Sequence, residues 1–468
     1  MSRRDRLTHS ARTLGALGLL GLALPVNAAV TTTALVGSAL RDGTPSLLRD
    51  RPAPVREEVA QRRATPVPEE VAQRPSRRAP CTVMVSGGKM TKALTLCRAF
   101  HAAGHRVVLV ESARYRFTGH RYSRAVDAFH TISDAGHPDY ADALETIARA
   151  EGVDVYVPVC SPASSVADAR AKKQLEQVCE VVHLDPDRLE LVDDKFRFAR
   201  AAADAGLRVP DTHLVTDAQQ VLDHDFSQAT RPYILKSIAY DPVHRLDLTR
   251  LPFGPPEAMA GFVRSLPISV ANPWILQEFV EGQEFCTHST VRDGRLTVYC
   301  CCESSAFQVN YAHVEHPGIR RWVDTFVSEA GLTGQVSLDF IVDDAGEVFA
   351  IECNPRTHSA ITMLEDHPGL AAAYLQDDAP LVEPSTTGRP TYWTYHEAWR
   401  LLTESGRRER LRGLRAGTDA IFDRDDPLPF FVEHHVQVPW LLLRSLVEGR
   451  PWLRIDFNIG KLVEAGGD

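Results

Sequence analysis

The chain has 468 residues, which is room for about three domains of ordinary size. Its apolar fraction of 44% and charged fraction of 24% are typical of a globular protein and exclude wholesale disorder. Residues 1–80 hold 13 Arg, no Lys and 7 acidic residues, so the net charge of −9 divides into +6 there and −15 in residues 81–468. An acidic body lacks the basic stripes that neutralise phosphates, which argues against a nucleic-acid partner.

The first apolar stretch runs from Thr13 to Leu40 and contains no charged residue over its 28 positions. It exceeds the roughly 20 residues that a membrane span needs. Three interpretations stay open: a single span, a secretory signal cleaved near Val26–Ala28, and a re-entrant or surface-lying helical pair broken near Pro25. Arginines flank both ends, and basic residues favour the cytoplasmic side of a membrane. We therefore expect the helical pair, with residues 13–40 attaching a cytoplasmic body to a membrane.

Residues 41–80 are predicted to form a tether. They are rich in Pro and Arg, and the string EEVAQR at residues 57–62 returns at residues 69–74. Such a composition cannot bury enough apolar surface to offset the entropy lost on ordering. The expected state is disordered or loosely helical.

Strands and helices alternate from Cys81 onward. The pattern predicts strands at residues 82–85, 106–110 and 153–159, with helices at 91–103 and 139–150. Alternation of this kind predicts a parallel sheet covered by helices on both faces. The turn from Gly87 to Thr91 lacks the spacing of a P-loop, because Met90 follows the lysine and no glycine stands upstream at the right distance. We expect a plain strand-to-helix turn beside a crevice.

The nine cysteines include no CxxC pair, and Cys300, Cys301 and Cys302 are consecutive. Neighbouring side chains on a strand point to opposite faces, so these three cannot converge on one zinc ion. We interpret them as reduced thiols in a strand, which is typical of a cytosolic protein.

The strongest chemical signal lies between residues 335 and 356. Residues 336–342 and 348–354 are predicted strands joined by the Asp- and Gly-rich turn DDAGE. Across such a hairpin Asp339 and Glu352 come close together, and Asn354 shares a face with Glu352. Two carboxylates and an amide oxygen suit Mg²⁺, which takes its other ligands from water and nucleotide phosphates.

Two lysines and a linker precede this hairpin. Lys195 begins a predicted helix that ends near Ala205, and Lys236 closes the apolar run PYIL. A lysine at the end of a buried strand needs partners, which phosphate oxygens would supply. Residues 274–285 are predicted to be a strand, a linker and the start of another strand, and this linker could hold a flat base.

The order of these motifs resembles the ATP-grasp superfamily. The strings that carry the resemblance are DDK (193–195), YILK (233–236), QEFVEGQE (277–284), SLDF (337–340) and IECNPR (351–356). The resemblance implies that Lys195 and Lys236 hold phosphates, that Gln277, Glu278, Phe279 and Val280 receive adenine, and that Glu284 holds ribose. It further implies that Asp339, Glu352 and Asn354 bind Mg²⁺, with Mn²⁺ as a possible substitute, and that Arg356 stabilises the transferred phosphate. Lys236 and Arg356 would then be the catalytic residues.

The resemblance also implies a fold class that combines α/β and α+β parts. A parallel α/β domain at residues 81–184 would precede an ATP-grasp region at residues 185–380, and a helical region at 381–468 would follow. The loop after Lys236 departs from the family, because it reads SIAYD where a glycine-rich cradle is common.

Longer strings are similar to the ATP-grasp ligases of mycosporine-like amino acid biosynthesis. They are KSIAYDPVHRLDLTRLP (236–252), EFCTHSTVRDG (284–294), CCCESSAFQVNY (300–311), IECNPRTHSAITM (351–363) and RIDFNIGKLVEAGGD (454–468). This resemblance implies that 4-deoxygadusol is phosphorylated and coupled to glycine, giving mycosporine-glycine. Arg356 or His358 would be the cation for the glycine carboxylate.

Two alternatives remain for the function: an ATP-grasp ligase for another acid and amine, and an ATP-binding scaffold without turnover. Two also remain for residues 390–468, which carry no chemical motif. They form either a helical cap on the body or a membrane-surface patch that cooperates with the N-terminal segment. In that region we expect the adjacent His434 and His435 to be structural.

Overall fold

The computed structural model of the protein describes residues 3–42, 80–159, 161–239, 241, 243–244, 247–304, 310–385, 388–450 and 452. Residues 43–79 of the predicted tether lie outside the described residues. So do residues 305–309 of the string CCCESSAFQVNY and the whole string at 454–468.

The apolar N-terminal stretch is one continuous helix, α1 (Arg3–Asp42), with Pro25 inside it. The predicted break into a helical pair is therefore wrong. Proline removes only its own N–H from the helix ladder, and its ring clash can be absorbed by a bend without ending the helix. A 34-residue part of α1, Leu7–Leu40, is long and apolar enough to cross a membrane by length and composition.

A five-stranded parallel sheet follows, as the alternating pattern predicted. Its elements are β1 (Thr82–Val85), α2 (Thr91–Ala102), β2 (Arg106–Ser112), β3 (Ala128–Ile132), α3 (Tyr140–Glu151), β4 (Val155–Val157), α4 (Pro162–Leu175) and β5 (Glu180–Val181). The strand order is β3-β2-β1-β4-β5. Sequence reasoning found β1, α2, β2, α3 and β4, and it missed β3, α4 and β5.

A small antiparallel sheet comes next along the chain. The elements here are α5 (Pro186–Asp193), α6 (Lys195–Asp204), β6 (Thr212–Val215), α7 (Ala218–Leu222), β7 (Tyr233–Ser237), α8 (Pro256–Ser265) and β8 (Trp274–Glu278). The strands pair in the order β6-β8-β7 and pack against α8 through a cluster of their own, which includes Val263 and Trp274. We call this three-stranded sheet, together with α8, the flap.

A larger antiparallel sheet carries the predicted hairpin. Its elements are β9 (Gln283–Arg292), β10 (Arg295–Glu303), α9 (Pro317–Glu329), β11 (Gly334–Val342), β12 (Val348–Asn354) and α10 (Leu370–Leu375), and the strand order is β10-β9-β11-β12. Cys300 and Cys302 pack into one apolar cluster and Cys301 into another, on the other face of β10. The expected alternation of these three buried thiols is confirmed, and all eight described cysteines are free.

The C-terminal region is helical, as expected. It comprises β13 (Thr391–Tyr392), α11 (Thr394–Thr403), α12 (Arg407–Ala416), β14 (Thr418–Asp419), α13 (Leu428–Val432) and α14 (Val438–Glu448), with the π-helical turn Glu433–Gln437 between the last two helices. His434 stacks on Tyr395 with ring centroids 4.3 Å apart, and its Nδ1 bonds the carbonyl of Phe430. The packing agrees with a structural role for His434. The domain boundaries at residues 184 and 380 stay predictions.

Candidate active site

The predicted hairpin is present, and it brings its two acidic residues together. Asp339 on β11 pairs directly with Glu352 on β12, and Ser337 pairs with Asn354. A β-bulge shifts the register after Asp339, because Phe340 pairs with Ala350 and leaves one residue of β12 unpaired. Because of the bulge, Asp339 and Ile341, which are two residues apart on β11, pair with Glu352 and Phe349, which are three residues apart on β12. Each side chain still shares a face of the sheet with its partner.

Asn354 links the two carboxylates. Its Nδ2 donates to Asp339 Oδ2 at 3.1 Å and to Glu352 Oε1 at 3.2 Å. Its Oδ1 accepts from Arg356 Nη2 at 2.5 Å, and the Arg356 amide bonds the Asn354 carbonyl at 2.8 Å. The three predicted metal ligands and the predicted phosphate-binding arginine therefore form one connected group at the end of β12.

The charges of this group are unbalanced. Burial and the nearby carboxylate of Glu352 raise the pKa of Asp339 well above its usual value. Lys195 and Lys236 outweigh the effect of burial on Glu352 and hold its pKa below the usual value. The pKa values of the two neighbouring carboxyl groups are thus shifted in opposite directions, and a divalent cation between them would favour the ionised form of both.

The donor set fits Mg²⁺. Two half-buried carboxylates are hard ligands, and Mg²⁺ takes one or two protein carboxylates and completes its shell with water and phosphate oxygens. The amide oxygen of Asn354, the third predicted ligand, is bonded to Arg356 in this structure. Within the described residues no cluster of three or more His, Cys, Asp and Glu side chains could hold a metal ion. The donors present here fit a cation that takes its remaining ligands from a nucleotide, and they are too few for a cation that is bound by protein ligands alone.

The two predicted lysines approach the hairpin from the flap side. Asp194 caps α6 by accepting from the amides of Phe196 and Arg197, which fixes Lys195 in the first turn. Lys195 Nζ donates to the carbonyl of Ile238 at 3.3 Å, so it reaches the loop that follows β7. Burial lowers the pKa of Lys236, and the nearby Glu352 carboxylate opposes that shift. The structure places both cations beside the acidic pair.

Gln277 holds Lys236 in position. The Gln277 side chain is only 2% exposed, and its Oε1 accepts from Lys236 Nζ at 3.0 Å while its Nε2 donates to Thr212 at 3.2 Å. Glu278 accepts from the amide of Asp211 at 3.4 Å through its carboxylate. Their adenine contacts stay predictions, and the geometry adds a positioning role for Gln277 that sequence reasoning missed.

The rest of the predicted base site is apolar. Val280 is buried with Ile341 and Phe349 in a small cluster, against which Ile351 packs. The guanidinium of Arg250 lies 4.6 Å from the centroid of the Phe279 ring. These groups form a short apolar surface between the linker and the hairpin.

Glu284, the predicted ribose ligand, lies beside this surface. It is exposed, and it pairs with Ile341 across β9 and β11. Cross-strand partners share a face of the sheet. Glu284 therefore shares a face of the sheet with Asp339, while its contact with ribose stays a prediction.

Contacts from the first sheet to the segment after β12 were missed by sequence reasoning. Lys92 on α2 donates to the carbonyl of Thr357, and Ser165 on α4 donates to the carbonyl of Pro355 at 2.6 Å. Gln335 on β11 donates to the carbonyl of Pro158 at 2.8 Å. The only sequence signal is that Lys92 stands on an otherwise apolar helix face, and it is 9% exposed. These contacts attach the hairpin of β11 and β12, and the segment after it, to the parallel sheet.

The side of the site away from the flap is lined by aromatic and thiol groups. The rings of His358 and Tyr311 meet edge to face at 5.4 Å, and the ring of His358 accepts from the amide of Ala360. Cys286 pairs with Asp339 across β9 and β11, and its Sγ lies 3.3 Å from that of Cys302. His358, one candidate for a substrate carboxylate, is therefore near the acidic pair.

Solved structures share this architecture. An N5-carboxyaminoimidazole ribonucleotide synthetase in complex with ADP superposes with a TM-score of 0.51 and 16% identity, over 66% of this chain and 80% of that one. Biotin carboxylase from Campylobacter jejuni in complex with β-γ-ATP gives 0.51 and 13% over 66% and 73%. The chain has the ATP-grasp fold. The expected fold class is confirmed.

Sequence comparison gives a partial match. The large chain of carbamoyl phosphate synthase from Vibrio cholerae is 24% identical over 215 residues, which is 41% of this chain. The matching part is only 19% of that relative's length. No family model matches the chain. The ATP-grasp fold is thus shown by structure, while activity and substrates are matters for the proposal that follows.

Proposed function

We propose that this protein is an ATP- and Mg²⁺-dependent ligase that forms a carbon–nitrogen bond. The observation that carries the proposal is one arrangement in an ATP-grasp fold. Asp339 and Glu352 present two carboxylates that Asn354 joins through its Nδ2, and Lys195 and Lys236 stand close enough to lower the pKa of Glu352. A protein that only binds ATP as a scaffold has no need of two half-buried carboxylates and three basic side chains in one group.

The residues divide the work between binding and chemistry. Mg²⁺, when bound, would neutralise the phosphate oxygens and polarise the transferred phosphoryl group. Lys195 and Lys236 would bind phosphate oxygens, and Arg356 would stabilise charge on the phosphoryl group as it moves. Since phosphoryl transfer needs little covalent chemistry from the protein, placement and charge neutralisation supply most of the rate enhancement.

We further propose 4-deoxygadusol as the acceptor and glycine as the amine. The support is the similarity of the five longer strings to the ligases of mycosporine-like amino acid biosynthesis, and four of these strings contain residues of the candidate site. The acceptor is a vinylogous acid, whose enol oxygen attacks the γ-phosphorus of ATP and releases ADP. The glycine amine then adds to the activated ring carbon, the C–N bond forms, and the C–O bond breaks as phosphate leaves. Mycosporine-glycine is the product.

Two positions suit the glycine carboxylate in this scheme. Arg356 lies at the metal group, and His358 lies two residues farther along beside Tyr311. A bound carboxylate needs a cation or a hydrogen-bond donor, and the side chains of Arg356 and His358 could each supply one. The reaction would take place in the cytoplasm, where ATP is abundant.

Product analysis tests the proposal. The full-length protein is incubated with ATP, Mg²⁺, glycine and 4-deoxygadusol, and phosphate release and product mass are followed, with Asp339→Asn as the matched inactive control. We expect phosphate release that requires both co-substrates, with mycosporine-glycine as the product. Release with another acid or amine alone would overturn the substrate assignment and keep the ligase. ATP binding without release for any acid and amine would overturn the ligase and favour a scaffold.

A further inference from the structure

Helix α1 lies along the body and presents its polar side chains to it. Six residues that face the body fall in one stripe about 40° wide at 100° per residue, namely His9, Thr13, Leu20, Asn27, Thr31 and Ser38. Five of the six are polar, and Thr13, Thr31 and Ser38 are 0%, 6% and 2% exposed. The polar side of an apolar helix is therefore the covered side.

Hydrogen bonds attach α1 to the body along its length. His9 contacts Ser445 Oγ at 3.1 Å near the start of the helix, and Thr13 Oγ1 accepts from Trp452 at 2.9 Å. Ser38 Oγ accepts from Arg124 at 2.9 Å near the end.

Asn27 makes the central attachment. Its Nδ2 lies 2.5 Å from the Tyr395 hydroxyl and 2.7 Å from Nε2 of His435. Asn27 is the polar interruption in the apolar stretch, and the contact explains its place there.

The opposite side of α1 is apolar and exposed. Its large residues are exposed by 53–80%: Leu7, Leu14, Leu22, Val26, Val36 and Leu40. Helix α14, which packs against α1, exposes three more large apolar residues, Trp440, Leu443 and Val447, by 40%, 47% and 88%. We call these nine residues the apolar face. So many exposed apolar residues on two helices that pack together mark a binding site for a protein or a membrane.

The attachments show how this helix can meet a bilayer. The contacts from His9 to Ser38 extend over about 44 Å at 1.5 Å per residue, whereas the hydrocarbon core of a bilayer is about 30 Å thick. A docked α1 that crossed the bilayer would carry Tyr395 and His435, which bond the middle of the helix through Asn27, into the hydrocarbon. The docked helix must therefore lie parallel to the surface.

Charge favours an anionic surface over a second copy of the chain. Residues 1–80 carry +6 against −15 for the remainder, and arginines stand on both sides of the uncharged stretch, at Arg12 and Arg41. A twofold pairing through the apolar face would bring two such basic segments together. Anionic headgroups would complement them, with a gain of about 1 kcal/mol for each basic residue near the surface.

We propose that the apolar face lies flat on an anionic lipid bilayer, with α1 parallel to the bilayer and its polar side covered by the body. The inward-facing polar side chains then belong to the protein core, and the outward-facing apolar ones belong to the lipid. The proposal is independent of the ligase activity, because it needs neither ATP nor substrate.

Vesicle sedimentation of the full-length protein tests this. Vesicles of phosphatidylcholine with phosphatidylglycerol are compared with phosphatidylcholine alone. The test variant is Leu22→Glu with Val26→Glu, and the matched control is Val270→Glu with Ala271→Glu, which adds the same charge at exposed positions of the flap. We expect the wild type and the control to bind anionic vesicles, and the test variant to bind at least tenfold more weakly with an unchanged Tm.

Three results would overturn the proposal. Equal binding to both kinds of vesicle would show that the protein does not require anionic headgroups. Retention on the vesicles after an alkaline carbonate wash would indicate a crossing helix in place of a surface-bound one. A dimer that binds no vesicles and that Leu22→Glu with Val26→Glu converts to a monomer would assign the apolar face to a second copy.

Discussion

Replacing Asp339 by Asn should make the protein inactive and, without metal, more stable. Asp339 and Glu352 both accept from Asn354 Nδ2, at 3.1 and 3.2 Å, so their bonded oxygens lie within about 6 Å of each other. Two negative charges at that distance repel by about 3 kcal/mol at an effective dielectric constant near 20. Asparagine keeps the shape of the side chain and removes the repulsion.

The sign of the effect depends on pH. Because the pKa of Asp339 is raised above its usual 3.8 in the folded protein, the unfolded chain releases this proton first as the pH rises. The wild type therefore loses stability between pH 3.8 and the raised pKa, and Asp339→Asn does not. The gain in free energy of unfolding should reach up to about 3 kcal/mol at neutral pH and vanish in acid.

The assay is thermal unfolding across pH without metal, followed by the same measurement with Mg²⁺ and ATP. We expect ligands to raise the Tm of the wild type and not that of Asp339→Asn, with turnover reduced by more than about 100-fold. Asp344→Asn is the matched control, because Asp344 is exposed on the turn of the same hairpin. A variant with full activity, or a stability difference that does not change with pH, would refute the reasoning.

Two further variants test the nucleotide side of the site. Lys236→Met removes the charged group that Gln277 bonds at 3.0 Å and should lower kcat/KM for ATP by about 100-fold. The control is Lys173→Met at an exposed position, which should leave kcat/KM unchanged. Equal kinetics for the two variants would show that Lys236 does not bind phosphate. Gly282→Ala would put a Cβ 2.1 Å from the Val342 carbonyl oxygen, so the linker would have to move away from the hairpin. Because the linker is the predicted adenine site, KM for ATP should rise at least about tenfold. Gly261→Ala, with open space around its Cβ, is the control, and an unchanged KM in Gly282→Ala would show that the linker does not meet the nucleotide.

Local patterns were enough to find the catalytic hairpin. The turn DDAGE and the apolar runs on either side determine that Asp339 faces Glu352, and the spacing of two places Asn354 beside them. The bulge opposite Phe340 has no such signal, because an unpaired residue in β12 leaves the hydrophobic pattern intact.

Contacts between distant segments were beyond the sequence. The bond from Lys92 to Thr357 joins residues 265 positions apart, and the sequence around each of them gives no indication of the other. Helix α1 shows the same limit: Pro25 suggested a break, while Tyr395 and His435 bond the next turn through Asn27 and the helix continues. Gln277 was assigned to adenine because its string fits the family, and only tertiary structure shows that its amide also holds Lys236.

The attachment between the parallel sheet and the hairpin limits how a nucleotide can enter. The hairpin with the acidic pair and the segment after it are held to the parallel sheet by the bonds of Lys92, Ser165 and Gln335. We therefore expect this part of the structure to stay closed. The flap is attached near its outer end by an ion pair of 2.7 Å between Arg231 and Asp343. In the proposed reaction, ATP would enter and ADP would leave by movement of the flap, which carries Lys236 with it. The contacts of Lys236 with the phosphates would then break in the same movement that releases ADP, while the acceptor keeps its place.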